Sequence, residues 1–306
     1  MLIIFESILP IFLLVVLGGI LKRSTFIDDG LWPGLEQFGF YVLFPAFLFL
    51  SLARADFGGI EAGTISLVAI LAVVAMSILV LALWPLFSSA GVTGGSFTSV
   101  FQTTTRWNAF VALAIAEKVS GPTGLAIVAL VMASIIIPIN LINVGVLIWF
   151  SGARRDFGAF VKRIVANPLI IGCGLGLAVN LSGLTPYEPL MMTVDLVARA
   201  SLGLGLIMVG AGLKIADALK PRPLAILSVM LKLTVFPAIM LAVAMAFGIE
   251  GDALAMLALS AGVPTAMHGY LLAKQMGGDA PLYAAVATLQ TAAAFVTIPL
   301  LLMVVG

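Results

Sequence analysis

Apolar residues fall in long blocks along this chain, separated by short polar joints. A helix needs about 20 mostly apolar residues to cross a bilayer. On that rule the pattern predicts about ten spans, at roughly 2–21, 33–53, 63–88, 97–117, 123–150, 164–182, 190–212, 223–248, 253–273 and 281–305. Several exceed the minimum length, which predicts tilt or kinking. Pro138 in span 5 and Pro299 in span 10 each remove a backbone donor, so a kink is expected at both. The joints are too short to hold a soluble domain with an activity of its own.

Two blocks are interrupted. Gln102-Thr103-Thr104-Thr105-Arg106-Trp107-Asn108 in span 4 and Ser260-Ala261-Gly262-Val263-Pro264-Thr265-Ala266-Met267-His268 in span 9 place polar and helix-breaking residues inside otherwise apolar segments. A shift of 156 positions lays Asn108 on Pro264 and Lys118 on Lys274. Collinear matches at nearby shifts pair Pro10 and Gly18 with Pro168 and Gly176, and Pro138 with Pro299. The chain therefore reads as two repeats, 1–150 and 164–306, joined by a cytoplasmic loop at 151–163. Five spans per repeat is an odd number, so the second copy inserts upside down relative to the first. Matched interruptions in two inverted halves mark a transporter binding site.

Basic residues set the orientation. The joints after spans 1, 3, 5, 7 and 9 hold ten of them: Lys22, Arg23, Arg154, Arg155, Lys162, Arg163, Lys214, Lys220, Arg222 and Lys274. The opposite joints hold two, Arg54 and Lys118. Both termini are thus expected outside the cytoplasm. Met1 to Leu21 lacks a basic n-region and a small-residue cleavage pattern, so it reads as the first span and not as a signal peptide.

Composition narrows the class. With 62% hydrophobic and 9% charged residues, and a mean hydropathy of +1.23, a water-soluble globular domain is excluded and a polytopic all-α membrane protein is expected. Lys plus Arg is 15 against 14 for Asp plus Glu, a balance that offers nucleic acid no basic surface. The single cysteine, Cys173, forms no disulfide within the chain and reads as a packing residue. No nucleotide-binding glycine loop, Gly-x-Ser-x-Gly or His-Glu-x-x-His signature occurs, and no cluster of ligands has the spacing of a zinc or iron centre. Neither a metal nor a cofactor is expected, nor is an enzyme.

The interruptions carry the candidate chemistry. A break near Trp107 and Asn108 starts a new half-helix with Asn108 as its N-cap, and its free amides present the positive end of a dipole. Pro264 breaks span 9 likewise, with Thr265 as the expected cap of the following half. Two facing helix N-termini favour an anion. Arg106 near mid-membrane matches a carboxylate bidentately, against the alternatives of a structural ion pair or snorkelling. Thr103, Thr104 and Thr105 are candidate pocket hydroxyls, although threonine in a membrane helix commonly bonds its own backbone. Asn140 and Asn143 after Pro138, and Gln290 in span 10, are further polar candidates, with interhelical bonding as the alternative role. Coupling candidates are His268, the sole histidine, together with Asp195, four residues from Arg199, and Lys232 within span 8.

The chain resembles the auxin efflux carrier family, which includes plant auxin carriers and bacterial malonate or malate transporters. The resemblance rests on Leu9-Pro10-Ile11-Phe12 with Leu17-Gly18-Gly19 and Lys22, on Phe44-Pro45-Ala46, on Ser260-Ala261-Gly262-Val263-Pro264-Thr265, and on Thr297-Ile298-Pro299. It implies two inverted five-helix repeats with spans 4 and 9 unwound and crossing at the membrane centre, Asn108 and Pro264 lying at the crossing. Ile65 to Leu83 contains no Asp or Lys, so the charged span 3 of the plant members does not carry over. Closeness to the bacterial branch implies a secondary transporter of small mono- or dicarboxylates in a bacterial inner membrane, working by alternating access as a homodimer. The coupling ion is left open between a proton and sodium. The alternatives are a sodium-coupled organic-anion symporter resembling the bile acid carriers, and a membrane sensor or channel that does not transport.

Overall fold

The computed structural model describes residues 2–25, 27–55, 61–151, 166–183 and 186–305; side chains at 2–5, 7, 151 and 268 are outside that description. The joining loop expected at 151–163 lies, beyond Ser151, outside the described residues. All regular structure among the described residues is helical. Among the described residues, six stretches are each long and apolar enough to cross a membrane: Leu31–Ala53, Ala62–Ser89, Gly94–Phe150, Glu188–Ala211, Pro223–Ala246 and Ala280–Val305. Shorter apolar helices occupy Pro168–Ser182 and Gly251–Gly262. The chain is an integral, all-helical polytopic membrane protein.

In order, span 1 is α1 (Leu2–Arg23), span 2 is α2 (Leu31–Phe38) with α3 (Phe44–Ala53), and span 3 is α4 (Ala62–Ala82) with α5 (Trp84–Ser89). Span 4 is α6 (Gly94–Thr105) and the start of α7 (Ala109–Ser151). The rest of α7 is span 5, the two parts meeting at Ser120 and Gly121, where Gly121 takes φ +57°. A joint was expected there, and a left-handed glycine makes the corner without steric strain. Then come α8 (Pro168–Ser182, span 6), α9 (Glu188–Ala211, span 7) and the short α10 (Ile215–Ala218). Span 8 is α11 (Pro223–Met230) with α12 (Phe236–Ala246); span 9 is α13 (Gly251–Gly262) and α14 (His268–Met276); span 10 is α15 (Ala280–Val305).

Spans 2 and 8 each contain a π-turn, Gly39–Leu43 and Leu231–Val235, immediately before the sequence Phe-Pro-Ala. Pro45 and Pro237 donate no hydrogen bond, and in an α-helix their rings would clash with the carbonyl four residues back. One extra residue relieves the clash, so that the Phe44 amide donates to the Gly39 carbonyl and the Phe236 amide to the Leu231 carbonyl, five residues back. Pro138 and Pro299 behave differently: α7 and α15 continue through both, and the non-helical backbone within α7 is confined to Ser120 and Gly121.

The helices pack as two groups. In one, α1 lies on α9 and α8 on α3, with α9 also touching α3. Both principal crossings of this group rely on glycine. A Cβ on Gly18 would stand 1.9 Å from the Ile207 carbonyl oxygen, and one on Gly210 1.7 Å from that of Val15. In the second crossing, Cβ atoms on Gly172 and Gly176 would meet the Pro45 and Phe49 carbonyls at 2.6 Å. Close backbone approach through small residues is the normal device for helix association in lipid. Gly18 and Gly176, paired in the sequence, thus do the same work on spans 1 and 6. Pro10 and Pro168 do not correspond, because Pro10 lies inside α1 and Pro168 opens α8.

The second group is α4, α6, α7 and α11 to α15, in which α7 packs on α4, α6 and α13, and α15 on α13 and α11. Aromatic contacts join the groups, Phe12 with Phe295 at 4.9 Å and Phe44 with Phe110 at 3.8 Å between ring centroids. Lys214, just past α9, donates from Nζ to the Tyr270 hydroxyl of α14 at 2.5 Å.

Candidate functional site

Spans 4 and 9 break at the same place in space. Helix α6 ends at Thr105 and α7 begins at Ala109, while α13 ends at Gly262 and α14 begins at His268. The two gaps touch through one backbone bond, from the Asn108 amide to the Pro264 carbonyl at 2.7 Å. Arg106 and Val263, the residues that end α6 and α13, both turn to extended backbone, with ψ of 158° and 153°. Arg106 stands twelve residues beyond Gly94, roughly 18 Å by helical rise, close to the middle of a hydrocarbon layer.

Broken backbone at that depth must be satisfied by protein groups. In span 4 the Asn108 side chain does this, its Oδ1 accepting from the Phe110 and Val111 amides at 3.1 and 3.3 Å. In span 9 the expected cap is replaced. Thr265 does not cap α14; the N-cap is Met267, without a side-chain bond. The second gap is longer than the first, so the helix restarts too far along the chain for Thr265 to reach its amides. The Thr265 hydroxyl instead pairs with the Tyr283 hydroxyl at 3.0 Å, and its amide donates to Gln290 Oε1 at 2.9 Å. Tyr283 in turn donates to the Ala266 carbonyl at 2.6 Å.

Gln290 joins the two breaks. While its oxygen accepts from Thr265, its Nε2 donates to the Thr103 carbonyl at 3.0 Å and to the Ser228 carbonyl at 3.4 Å. Thr103 also meets Ser228 directly, hydroxyl to hydroxyl, at 2.7 Å. Thr103, Thr104 and Thr105 are fully buried and all bond carbonyls of their own helix. Thr105 also donates to Asn143 Oδ1 at 3.1 Å.

Arg106 faces span 5. Its Nη1 donates to Asn140 Oδ1 at 3.1 Å and its Nε to Gln102 Oε1 at 3.3 Å. Both partners are neutral, and among the described residues no carboxylate lies within 4 Å of the guanidinium. Its Nη2 and the adjacent Gln102 Nε2 are buried without a hydrogen-bond partner. The polar atoms left open here are nitrogen donors, which together with an unneutralised guanidinium call for acceptor oxygens carrying negative charge.

The structure therefore gathers Arg106, Asn108, Thr103, Thr104, Thr105, Asn140, Asn143, Pro264, Thr265 and Gln290 around one crossing. Asp195 lies elsewhere, paired with Arg199 at 2.6 Å and Arg54 at 3.5 Å near the end of α9 remote from Lys214. Of His268, the backbone opens α14 and the side chain lies outside the described residues. Lys232 is fully buried in the span 8 π-turn. Sequence reasoning placed Gln102 in the polar run without giving it a role, and missed Ser228 and Tyr283 as contributors. Gln102 sits four residues before Arg106 on the same helix and was within reach of a periodicity argument; Ser228 and Tyr283 act only through partners distant in sequence. A separate recess of about 350 Å³ lies at the junction of spans 8 and 9, where Glu61, Glu250 and Asp252 line it. Three carboxylates make it a poor place for an anion.

A family model described as membrane transport protein matches residues 153–302 of this chain. That region runs from the joint before span 6 through most of span 10, and so includes Lys232, the span 9 break and Gln290. Comparison with curated proteins finds no match.

Proposed function

We propose, from the premise that this chain belongs to the membrane transport protein family related to the auxin efflux carriers, that it is a secondary carrier of small organic anions. The carried anion is a mono- or dicarboxylate of the size of malonate or malate. The observation behind this reading is the pair of buried donors, Arg106 Nη2 and Gln102 Nε2, left without acceptors beside the crossing. A carboxylate accepting from both satisfies two buried groups and supplies the charge that Arg106 lacks. The Asn108-capped start of α7 adds a positive dipole end nearby. Alternating access then exposes the crossing to one face of the membrane at a time.

In this reading, which takes the bacterial inner membrane from the resemblance to the bacterial branch, the ten-to-two distribution of basic residues favours both termini on the non-cytoplasmic side. The carrier works as a homodimer whose substrate flux is coupled to a proton or to sodium. The test is reconstitution of the purified protein alone into liposomes, with labelled malonate, malate and acetate as probes. Saturable uptake of at least one is expected, together with a raised melting temperature in its presence. Arg106→Ala should abolish both while leaving the unliganded protein folded. Imposed pH and sodium gradients identify the coupling ion. Binding without flux would point to a sensor, and neither binding nor flux with any of the three would overturn the reading.

A further inference from the structure

Span 8 carries a buried amine that no contact of the crossing uses. Lys232 is fully buried, and its Nζ has no hydrogen-bond partner. The nitrogen sits 4.4 Å from the centroid of the Phe236 ring. An aromatic face offsets only part of the penalty of burying an ammonium.

A counter-charge is missing on each packed neighbour. The π-turn touches α6, α13 and α15 as well as α11 and α12 of its own span. Helices α6, α11 and α12 contain no titratable residue. Asp252 on α13 lines the recess beside Phe247, fifteen residues beyond Lys232 and so roughly 22 Å away by helical rise. Tyr283 on α15 already donates to the Ala266 carbonyl.

Lys232 and Arg106 lie at the same depth. Arg222, just before α11, and Ser96, in the first turn of α6, both donate to Asp279 Oδ2, so the two helices start side by side. Further along, Ser228 meets Thr103. Lys232 is four residues beyond Ser228 and Arg106 three beyond Thr103, rises of roughly 6 and 4.5 Å. Ser228, Lys232 and Phe236 recur every four residues, are all buried, and form one face whose Ser228 end touches span 4 and Gln290. Adjacent helix axes lie about 8–10 Å apart, a gap that a lysine side chain and a small anion span together. Among the described residues, three buried unpartnered side-chain nitrogens, those of Arg106, Gln102 and Lys232, stand around this level.

We propose that Lys232 is a second cation of the substrate site, which contacts an acceptor oxygen of the carried anion from span 8 while Arg106 and Gln102 contact it from span 4. This rests on the anion-carrier reading and replaces the coupling role first assigned to this lysine. The unliganded state holds the amine against Phe236, and loading draws it to the anion.

The test compares wild type, Lys232→Met and Lys232→Gln in liposomes and in thermal melts, with malonate, malate and acetate as probes. Methionine retains the bulk and removes the charge, so the unliganded Lys232→Met protein should melt at or above the wild-type temperature. Its half-saturation concentration should rise by about tenfold or more, the loss expected for one charge-assisted hydrogen bond. Lys232→Gln, which keeps a donor, should fall between. A wild type that responds to a probe, beside a Lys232→Met protein with unchanged half-saturation and unchanged ligand stabilisation, would overturn the role of Lys232 alone. Absence of any wild-type response to the three probes would overturn the anion-carrier reading, and this role with it.

Discussion

Replacing Gln290 by leucine tests whether the crossing is held by side chains from span 10. The substitution roughly preserves volume but removes three hydrogen bonds. The Ser228 carbonyl keeps the Leu231 amide as a partner. The other two groups have no replacement, because both belong to broken backbone. The helix that would bring a later amide to the Thr103 carbonyl ends at Thr105, and the Thr265 amide lies in the gap between α13 and α14. Each buried backbone group left unsatisfied costs about 1–3 kcal/mol, so Gln290→Leu should destabilise by about 2–6 kcal/mol. At about 2–4 °C per kcal/mol for a large domain, melting of the purified protein should fall by roughly 5 °C or more. Thr291→Val is the matched control, since the neighbouring Thr291 hydroxyl is also buried but bonds only the Ala287 carbonyl of its own helix. Its loss should cost less than about 1 kcal/mol. A Gln290→Leu protein melting within a degree of Thr291→Val would refute the argument.

Three further outcomes are expected. Asn108→Ala should lose about 0.5–2 kcal/mol with its two capped amides, whereas Asn108→Asp keeps the cap and melts near wild type but loses carboxylate-dependent stabilisation, because its charge repels the anion; an Asp variant still stabilised by the probe would remove Asn108 from the site. Gly18→Ala and Gly210→Ala should each destabilise by about 1–3 kcal/mol, since either methyl must push α1 and α9 apart by about 1.5 Å to reach ordinary contact. Combined, the two should fall short of additivity, while Gly18→Ala with Gly176→Ala, on separate crossings, should add; thermal melts of the double variants decide. Asp279→Asn should be nearly neutral in melts, because the ion pair it weakens has a largely exposed Arg222, while Asp279→Ala also removes the cap of Leu282 and should cost about 0.5–2 kcal/mol more.

What the sequence revealed followed from the demands of lipid. Helical spans need unbroken apolar stretches, so each expected segment is helical over most of its length, and a polar run such as Thr103 to Asn108 inside one is conspicuous. The Asn108 cap was equally readable, because its bonds reach only two and three residues ahead. Contacts made across the fold left no local trace. Arg106 reaches Asn140 over 34 residues, and Gln290 reaches Thr103 over 187, distances at which no helical periodicity links partners. The π-turns were hidden for a different reason. A proline within an apolar run signals a disturbance but not its form, and Pro45 and Pro237 are accommodated by an added residue whereas α7 and α15 pass through Pro138 and Pro299.

The two arms of the crossing are built differently, and this bears on mechanism. The first closes on itself: Asn108 caps its own half-helix, and Arg106 is set by Gln102 four residues before it and by Asn140 of the following span. From outside spans 4 and 5 it is met by Gln290 on the Thr103 carbonyl and by the Pro264 carbonyl on the Asn108 amide. The second arm has no cap of its own and takes its support from span 10, through Gln290 and Tyr283. The other packing group touches spans 9 and 10 through Lys214 on Tyr270 and the Lys214 amide on Thr288, and it touches the start of α7 through Phe44 on Phe110. A displacement of one group against the other therefore reaches both arms, the second through span 10 and the first through Phe110, two residues beyond Asn108. On the anion-carrier reading proposed above, coupling of both arms to the other group lets a movement between the groups change access to the crossing while Gln102 and Asn140 keep Arg106 set.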